Sequence, residues 1–295
     1  EPDRLEWIVG AFYLREKARD QLQILEPARA LGLPESNVTN ALAAYGQATF
    51  RLTDRLRLTG GARYSYEEKD FAYRVLSGGV DVGGEAAKAS WRAWTPKVGI
   101  QYDVSEDVMA YASITRGFKS GGFQLGDGRP FRPEYIWSYE GGVKSMFWDR
   151  RVRANLSVFY YDYTDLQLNQ VVGLTSLITN AAAARIKGVE VEGTWRPESH
   201  WTINGNVSLL RAKFTSFLNV DSLAPALGAQ DVSGNYLSNA PKLSANLGVA
   251  YRSDPVLFDG RITARADLSY RSKIYFREFN DALDQQDAYA VLNAS

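Results

Sequence analysis

Apolar and polar residues alternate with a period of two along most of this chain. Across 55–67, Leu56, Leu58, Gly60, Ala62, Tyr64 and Tyr66 fall on one side, and Arg55, Arg57, Thr59, Gly61, Arg63, Ser65 and Glu67 fall on the other. Successive side chains of an extended strand point to opposite faces, whereas a helical turn would mix the two sets. The pattern returns at 242–252, where Leu243, Ala245, Leu247, Val249 and Tyr251 oppose Lys242, Ser244, Asn246, Gly248 and Arg252. It returns again at 261–271, where Ile262, Ala264, Ala266, Leu268 and Tyr270 oppose Arg261, Thr263, Arg265, Asp267, Ser269 and Arg271. Trp201, Ile203, Gly205, Val207 and Leu209 make a further stripe. Repeating this reading predicts about twelve strands, near 5–14, 41–52, 55–67, 92–103, 107–117, 135–147, 151–165, 185–196, 201–213, 241–252, 259–271 and from 287 onward.

Stripes of this kind suit a soluble sandwich or a membrane barrel equally, because they do not say whether the apolar face turns inward. The connections discriminate. After the first strand they alternate: 15–40 is long, 53–54 short, 68–91 long, 104–106 short, 118–134 long, 148–150 short. Likewise 166–184 is long, 197–200 short, 214–240 long, 253–258 short and 272–286 long. In an up-and-down barrel consecutive links fall on opposite rims, so every long loop lies at one rim and every tight turn at the other, as in outer-membrane barrels. The predicted class is therefore all-β, an antiparallel up-and-down transmembrane β-barrel with apolar stripes toward lipid. Strand 5–14 then runs from periplasm to exterior. Aromatic residues, 13% of the chain with 17 Tyr and 7 Trp, gather at the ends of the alternations, where interfacial girdles would sit.

Composition removes several functions. With 34 Lys plus Arg against 34 Asp plus Glu, no long-range field gathers nucleic acid, and no such partner is expected. The absence of Cys and the single His remove thiol chemistry and most His-based mechanisms. No enzyme activity, resident metal or cofactor is expected. Glu190 and Glu192 share a face, but on a barrel strand they line a polar lumen rather than form a catalytic pair. His200, in a tight turn without a nucleophile beside it, reads as periplasmic decoration. SGGVDVGG (77–84) and GGFQLGDG (121–128) have the composition of phosphate loops, but neither joins a strand to a helix, and both read as flexible external loop. Asn37, Asn155 and Asn206 begin chance Asn-x-Ser/Thr triplets.

Four segments resemble the TonB-dependent receptor family: MAYASITRGFKSGGFQ (109–124), PEYIWSYEGGVKSMFWDRRVRANLSVFYYDYTDLQ (133–167), NAAAARIKGVEVEGTWRP (180–197) and SGNYLSNAPKLSANLGVAYR (233–252). The resemblance implies a 22-stranded barrel filled by an N-terminal plug. Residues 1–295 then read as the middle of that barrel, about twelve of its strands, without the plug, the TonB box or the closing strands. It implies import across the bacterial outer membrane of a scarce ligand, with ferric siderophore the default. Cobalamin, haem and carbohydrate are the other ligands open to the family. Energy would come from the TonB complex through the plug, and outer-membrane lipid and lipopolysaccharide would surround the wall. A passive, porin-like channel is the alternative, and an outer-membrane hydrolase a third reading for which no nucleophile and base converge.

One external loop concentrates basic and aromatic groups suited to an anionic chelate or a glycan: Arg116, Phe118, Lys119, Phe123, Arg129, Arg132, Tyr135 and Trp137. Against this stands the reading in which Tyr and Trp form the outer girdle and Arg binds lipopolysaccharide phosphate or carboxylates. Trp91, Trp94, Tyr275, Phe276 and Arg277 are weaker candidates. Arg57, Arg63, Glu190, Glu192, Arg265 and Asp267 are expected to face the lumen and meet the plug.

Overall fold

The computed structural model describes residues 4–26, 29–124, 128–172 and 175–295. Among them the alternations become a single antiparallel sheet of twelve strands. They are β1 (Leu5–Glu26), β2 (Arg29–Arg51), β3 (Leu56–Ser77), β4 (Val80–Ser105), β5 (Val108–Lys119) and β6 (Glu134–Phe147). They continue with β7 (Val152–Val172), β8 (Thr175–Trp195), β9 (Trp201–Ser216), β10 (Leu243–Arg252), β11 (Thr263–Arg271) and β12 (Tyr289–Ala294). Each strand pairs with its neighbour in sequence, the up-and-down order, and β1 and β12 lie at the two ends of an open sheet.

Register turns the stripes of single strands into rows across the sheet. One row reads Leu5, Phe50, Leu58, Ile100, Ala112, Gly141, Val158, Val189, Leu209 and Leu243, apolar or glycine throughout. The adjacent row reads Arg51, Arg57, Gln101, Tyr111, Gly142, Ser157, Glu190, Ser208, Ser244 and Arg271. Facing positions in neighbouring strands share a side of the sheet, so one face is greasy and the other polar. The greasy face is uncovered: Val98 is 62% exposed, Leu247 49% and Ile262 58%. A sandwich would have buried these side chains against a second sheet. An exposed apolar surface of this extent matches hydrocarbon, and the polar face is the inner wall.

The two rims differ as the connection lengths require. At one rim the links are tight, and Trp148, Asp149 and Arg150 take left-handed backbone angles in one of them. The opposite rim departs from expectation. The spans 15–40, 68–91 and 166–184, read as long loops, are mostly strand: β1 pairs with β2 up to Glu26 opposite Arg29, and β3 with β4 up to Ser77 opposite Val80. Gly78 and Gly79, both at positive φ, close the latter hairpin in the two-residue manner that glycine permits. Crossing the bilayer needs about 9–11 residues, so these strands of 21 to 26 residues project well beyond it. Past the hydrocarbon both faces meet water, and the alternation that reveals a strand disappears while backbone pairing continues.

Candidate functional site

The inner wall carries polar side chains that satisfy one another. Arg57 reaches Asp103 at 2.7 Å and Gln101 at 3.3 Å. The Asn155 amide donates to Glu192 at 2.6 Å, the Ser208 hydroxyl to Glu190 at 3.2 Å, and the Tyr111 hydroxyl to Glu140 at 2.6 Å. Arg265 forks onto both oxygens of Asp267 at 2.6 Å. Arg63 donates to Ser65 and lies over the Phe12 ring. All six residues assigned to the lumen, Arg57, Arg63, Glu190, Glu192, Arg265 and Asp267, therefore belong to the polar face.

At the loop-bearing rim, the segment after β5 folds inward instead of hanging free. Phe123 stacks on Phe71 with ring centroids 5.3 Å apart and meets the edge of Trp91 at 5.8 Å. Lys69 sits over Trp91 and donates to the Gly121 carbonyl at 2.7 Å. Glycine is required here, because a Cβ on Gly121 would lie 2.2 Å from the Phe131 carbonyl oxygen and 2.3 Å from Trp91 Nε1. Residues 121–124 are thus packed rather than flexible, while 125–127 lie outside the described residues. Likewise the pairing of β3 with β4 takes 80–84 of the other glycine stretch into strand.

Three amides that sequence reading passed over brace this loop. The Gln124 side chain pairs with both backbone groups of Ile178 in β8, its carbonyl accepting from Ile178 N–H at 2.8 Å. Gln167 donates to the Ser120 and Arg132 carbonyls, each at 2.9 Å. Asn180 accepts from Arg132 N–H at 2.9 Å and donates to the Arg132 and Asp165 carbonyls at 2.8 Å. Asp165, at positive φ, also takes the Arg132 guanidinium at 2.8 Å. Isolated amides carry no sequence signal for such a role.

The eight loop candidates divide between the two faces. Arg116 and Phe118 continue the outward stripe of Ala112 and Ile114, and they pair in register with Trp137 and Tyr135. The Arg116 guanidinium lies 4.2 Å from the Tyr135 ring centroid and 5.8 Å from that of Trp137, and Phe118 stacks on Tyr135 at 6.5 Å. These four stand on the lipid side, with Trp94 against Tyr64, and form a girdle rather than a mouth. Lys119, Phe123, Arg129 and Arg132 belong to the inner side or its loop. Phe123 is buried as the latch, whereas Lys119, Arg129 and Arg132 are exposed.

The segments following β9 and β11 close over the same mouth. Phe214 and Phe217 pack on Val232 and on Ala182 and Ala184 of β8, with Leu237 and Phe279 against them. Arg277 fastens the two segments by contacting Asp221 at 2.5 Å, Asp281 at 3.0 Å and Asp284. Burial would raise the Asp221 carboxyl, but the Leu223 N–H and the guanidinium outweigh it and hold the group below its ordinary 3.8. A depressed carboxyl stabilises the fold above its unfolded pKa, and that contribution is lost as pH falls through the lower folded value. Pepsin cleavage within 217–240 should therefore rise as pH drops from about 4 toward 2, after normalisation to a reference peptide. A flat profile would mean that the clamp adds nothing. Tyr275 lies beside Lys273, and Phe276 is about half exposed.

Comparison with known proteins places these features. A family model described as TonB dependent receptor-like, beta-barrel matches residues 4–295. The pesticin receptor of Yersinia enterocolitica is 32% identical over 237 residues, covering 74% of this chain and 34% of that protein. A ferric-pyoverdine 358 receptor of Pseudomonas putida is 33% identical over 177 residues, 57% of this chain and 21% of its own length. The chain thus spans about a third or less of these relatives. The crystal structure of the ferric yersiniabactin uptake receptor FyuA from Yersinia pestis superposes with a TM-score of 0.85 at 23% identity, covering all of this chain and 44% of the other.

Proposed function

Because this chain belongs to the TonB-dependent receptor family through its β-barrel region, and so to the bacterial outer membrane, we propose that it forms the wall and mouth of an importer for a ferric siderophore. Import is energised by the TonB complex acting on a plug inside the wall. The role is transport rather than catalysis. What carries the ligand class is the likeness to a receptor named for ferric pyoverdine, 33% identical over 177 residues. Exposed cations on the inward-folded mouth support it, since Lys119, Arg129 and Arg132 suit an anionic chelate. In this reading the paired residues of the inner wall, Glu190 and Glu192 among them, supply the surface that the plug meets. The outer membrane has no energy source of its own, which is why a coupled plug rather than an open lumen suits a dilute ligand.

The test is uptake of radiolabelled ferric siderophores by cells carrying or lacking the receptor, with and without TonB. Import under iron restriction should vanish in both deletions. Uptake that persists without TonB would instead indicate a passive channel. Charge reversal of both Lys119 and Arg132 to Glu should weaken ligand binding at least about tenfold, the scale of a like-charge clash at a binding surface. Unchanged binding by that double variant would move the ligand away from this loop.

A further inference from the structure

The lipid-facing side holds a second feature below the aromatic girdle. Ala112 and Gly141 are small members of a row whose neighbours are large, and they leave a groove of about 650 Å³ walled by Leu58, Ile100, Ile114, Tyr139, Val158 and Tyr160. Lys187 also lines it. Register sets Lys187 beside Tyr160 on one strand and Arg211 on the next. Lys213 continues the Arg211 stripe and pairs with Tyr236 in an isolated bridge. The Lys213 and Lys242 ammonium groups lie 4.5 Å and 4.3 Å from the Tyr236 ring centroid.

Four cations thus run from the end of an apolar groove toward the rim. Nearby Arg185 has its carboxylate in Asp162 at 3.4 Å. Among the described residues Lys187, Arg211, Lys213 and Lys242 have none. The Lys242 ammonium, hydrogen-bonded to the Tyr236 hydroxyl and helped by Lys213 and Arg211, holds that phenol below its ordinary range despite some burial. The local potential is positive, on a face whose other large side chains meet hydrocarbon. Lys213 donates to the Gly234 carbonyl at 2.5 Å, which leaves its charge uncompensated. A surface that offers an apolar slot with such cations beyond its end complements an amphiphile with an anionic head.

We propose that the groove and these cations form a binding site for one phosphorylated, acylated lipid of the outer leaflet. An acyl chain occupies the slot over Ala112 and Gly141, and a phosphate lies against Lys187, Arg211 and Lys213. The proposal rests on the lipid-facing assignment of this side and is independent of the ligand imported.

The receptor, purified from outer membranes in mild detergent, is examined by native mass spectrometry with three probes: bisphosphorylated lipid A, dephosphorylated lipid A, and inorganic phosphate. Wild type should retain the first, retain the second about tenfold less, and release neither to inorganic phosphate. Combined replacement of Lys187, Arg211 and Lys213 by Gln should cut lipid A retention about tenfold or more. Gly141→Leu should cut it through the slot alone. A Cβ there meets only the Tyr111 carbonyl oxygen at 3.6 Å, an ordinary contact, so this variant keeps the test open if the triple variant fails to assemble. Heat-modifiable gel mobility confirms assembly of each. Equal retention of the two lipid A forms, equal retention by an assembled triple variant or by Gly141→Leu, or displacement by inorganic phosphate would each overturn the site. Siderophore uptake is read separately, so loss of lipid with import intact bears on this site and leaves the transport reading untouched.

Discussion

Arginine in place of Leu247 should cripple membrane assembly, whereas arginine in place of its neighbour Asn246 should be tolerated. Leu247 stands midway along the greasy stripe of β10 and is 49% exposed to what the membrane fills with hydrocarbon. Asn246 is one residue away on the polar face, where its amide donates to Asn206 at 3.2 Å. A cation at the bilayer midplane of a barrel costs about 2–4 kcal/mol, a large share of the 5–15 kcal/mol that typically holds a domain together. The inward arginine forfeits one hydrogen bond of about 1 kcal/mol and points into a wet space. The measurement is denaturant unfolding of refolded protein in lipid vesicles, supported by the fraction of heat-modifiable species. Equal penalties at the two positions would mean that the faces have been assigned to the wrong environments.

Removing the ring of Phe123 should release the mouth loop and leave the barrel standing. Phe123 is 9% exposed, stacked on Phe71 and edged by Trp91, in a segment otherwise fixed by the Lys69 bond to the Gly121 carbonyl and by the Ile178 N–H bond to the Gln124 side chain. Truncating a buried Phe to Ala costs about 3–5 kcal/mol, and a surface loop rarely has that much local stability to lose. Amide exchange in 120–124 and 128–131 should accelerate by two or more orders of magnitude while the strands below keep their protection. Import should fall with it if Lys119, Arg129 and Arg132 must be presented in one arrangement. Unaltered exchange would show that the amide braces alone suffice.

These two positions also show what could be read from the sequence and what could not. Alternation around Leu247 and Ile262 carried the strands, their faces and the antiparallel order, because hydrocarbon on one side and water on the other impose opposite demands on adjacent residues. The same alternation ran on through Arg116 and Phe118, and back from Val143 through Trp137 and Tyr135. Followed to the strand ends, it would have turned those four residues toward lipid instead of grouping them with the loop. Phe123 was picked out for its chemistry, but its role as a latch depends on Phe71, about fifty positions earlier, and on room left by Gly121. Gln124, Gln167 and Asn180 were silent, since an amide that clamps a distant backbone looks like any other loop amide. The long hairpins escaped for a different reason. Beyond the headgroups hydrocarbon no longer meets one side of β3 or β4, and periodicity reports the surroundings of a strand rather than its backbone.

That last point divides each long strand into two halves with unequal tolerance of length change. In the lower half of β3, one inserted residue would swap every side chain between oil and water, so only paired gains or losses are permitted. Above Phe71, toward Gly78 and Gly79, no side chain has a compulsory side, and the hairpin can grow or shrink by any number that its tip can turn. Reach above the membrane is therefore free to drift between kindred proteins, while the part within it is locked in steps of two.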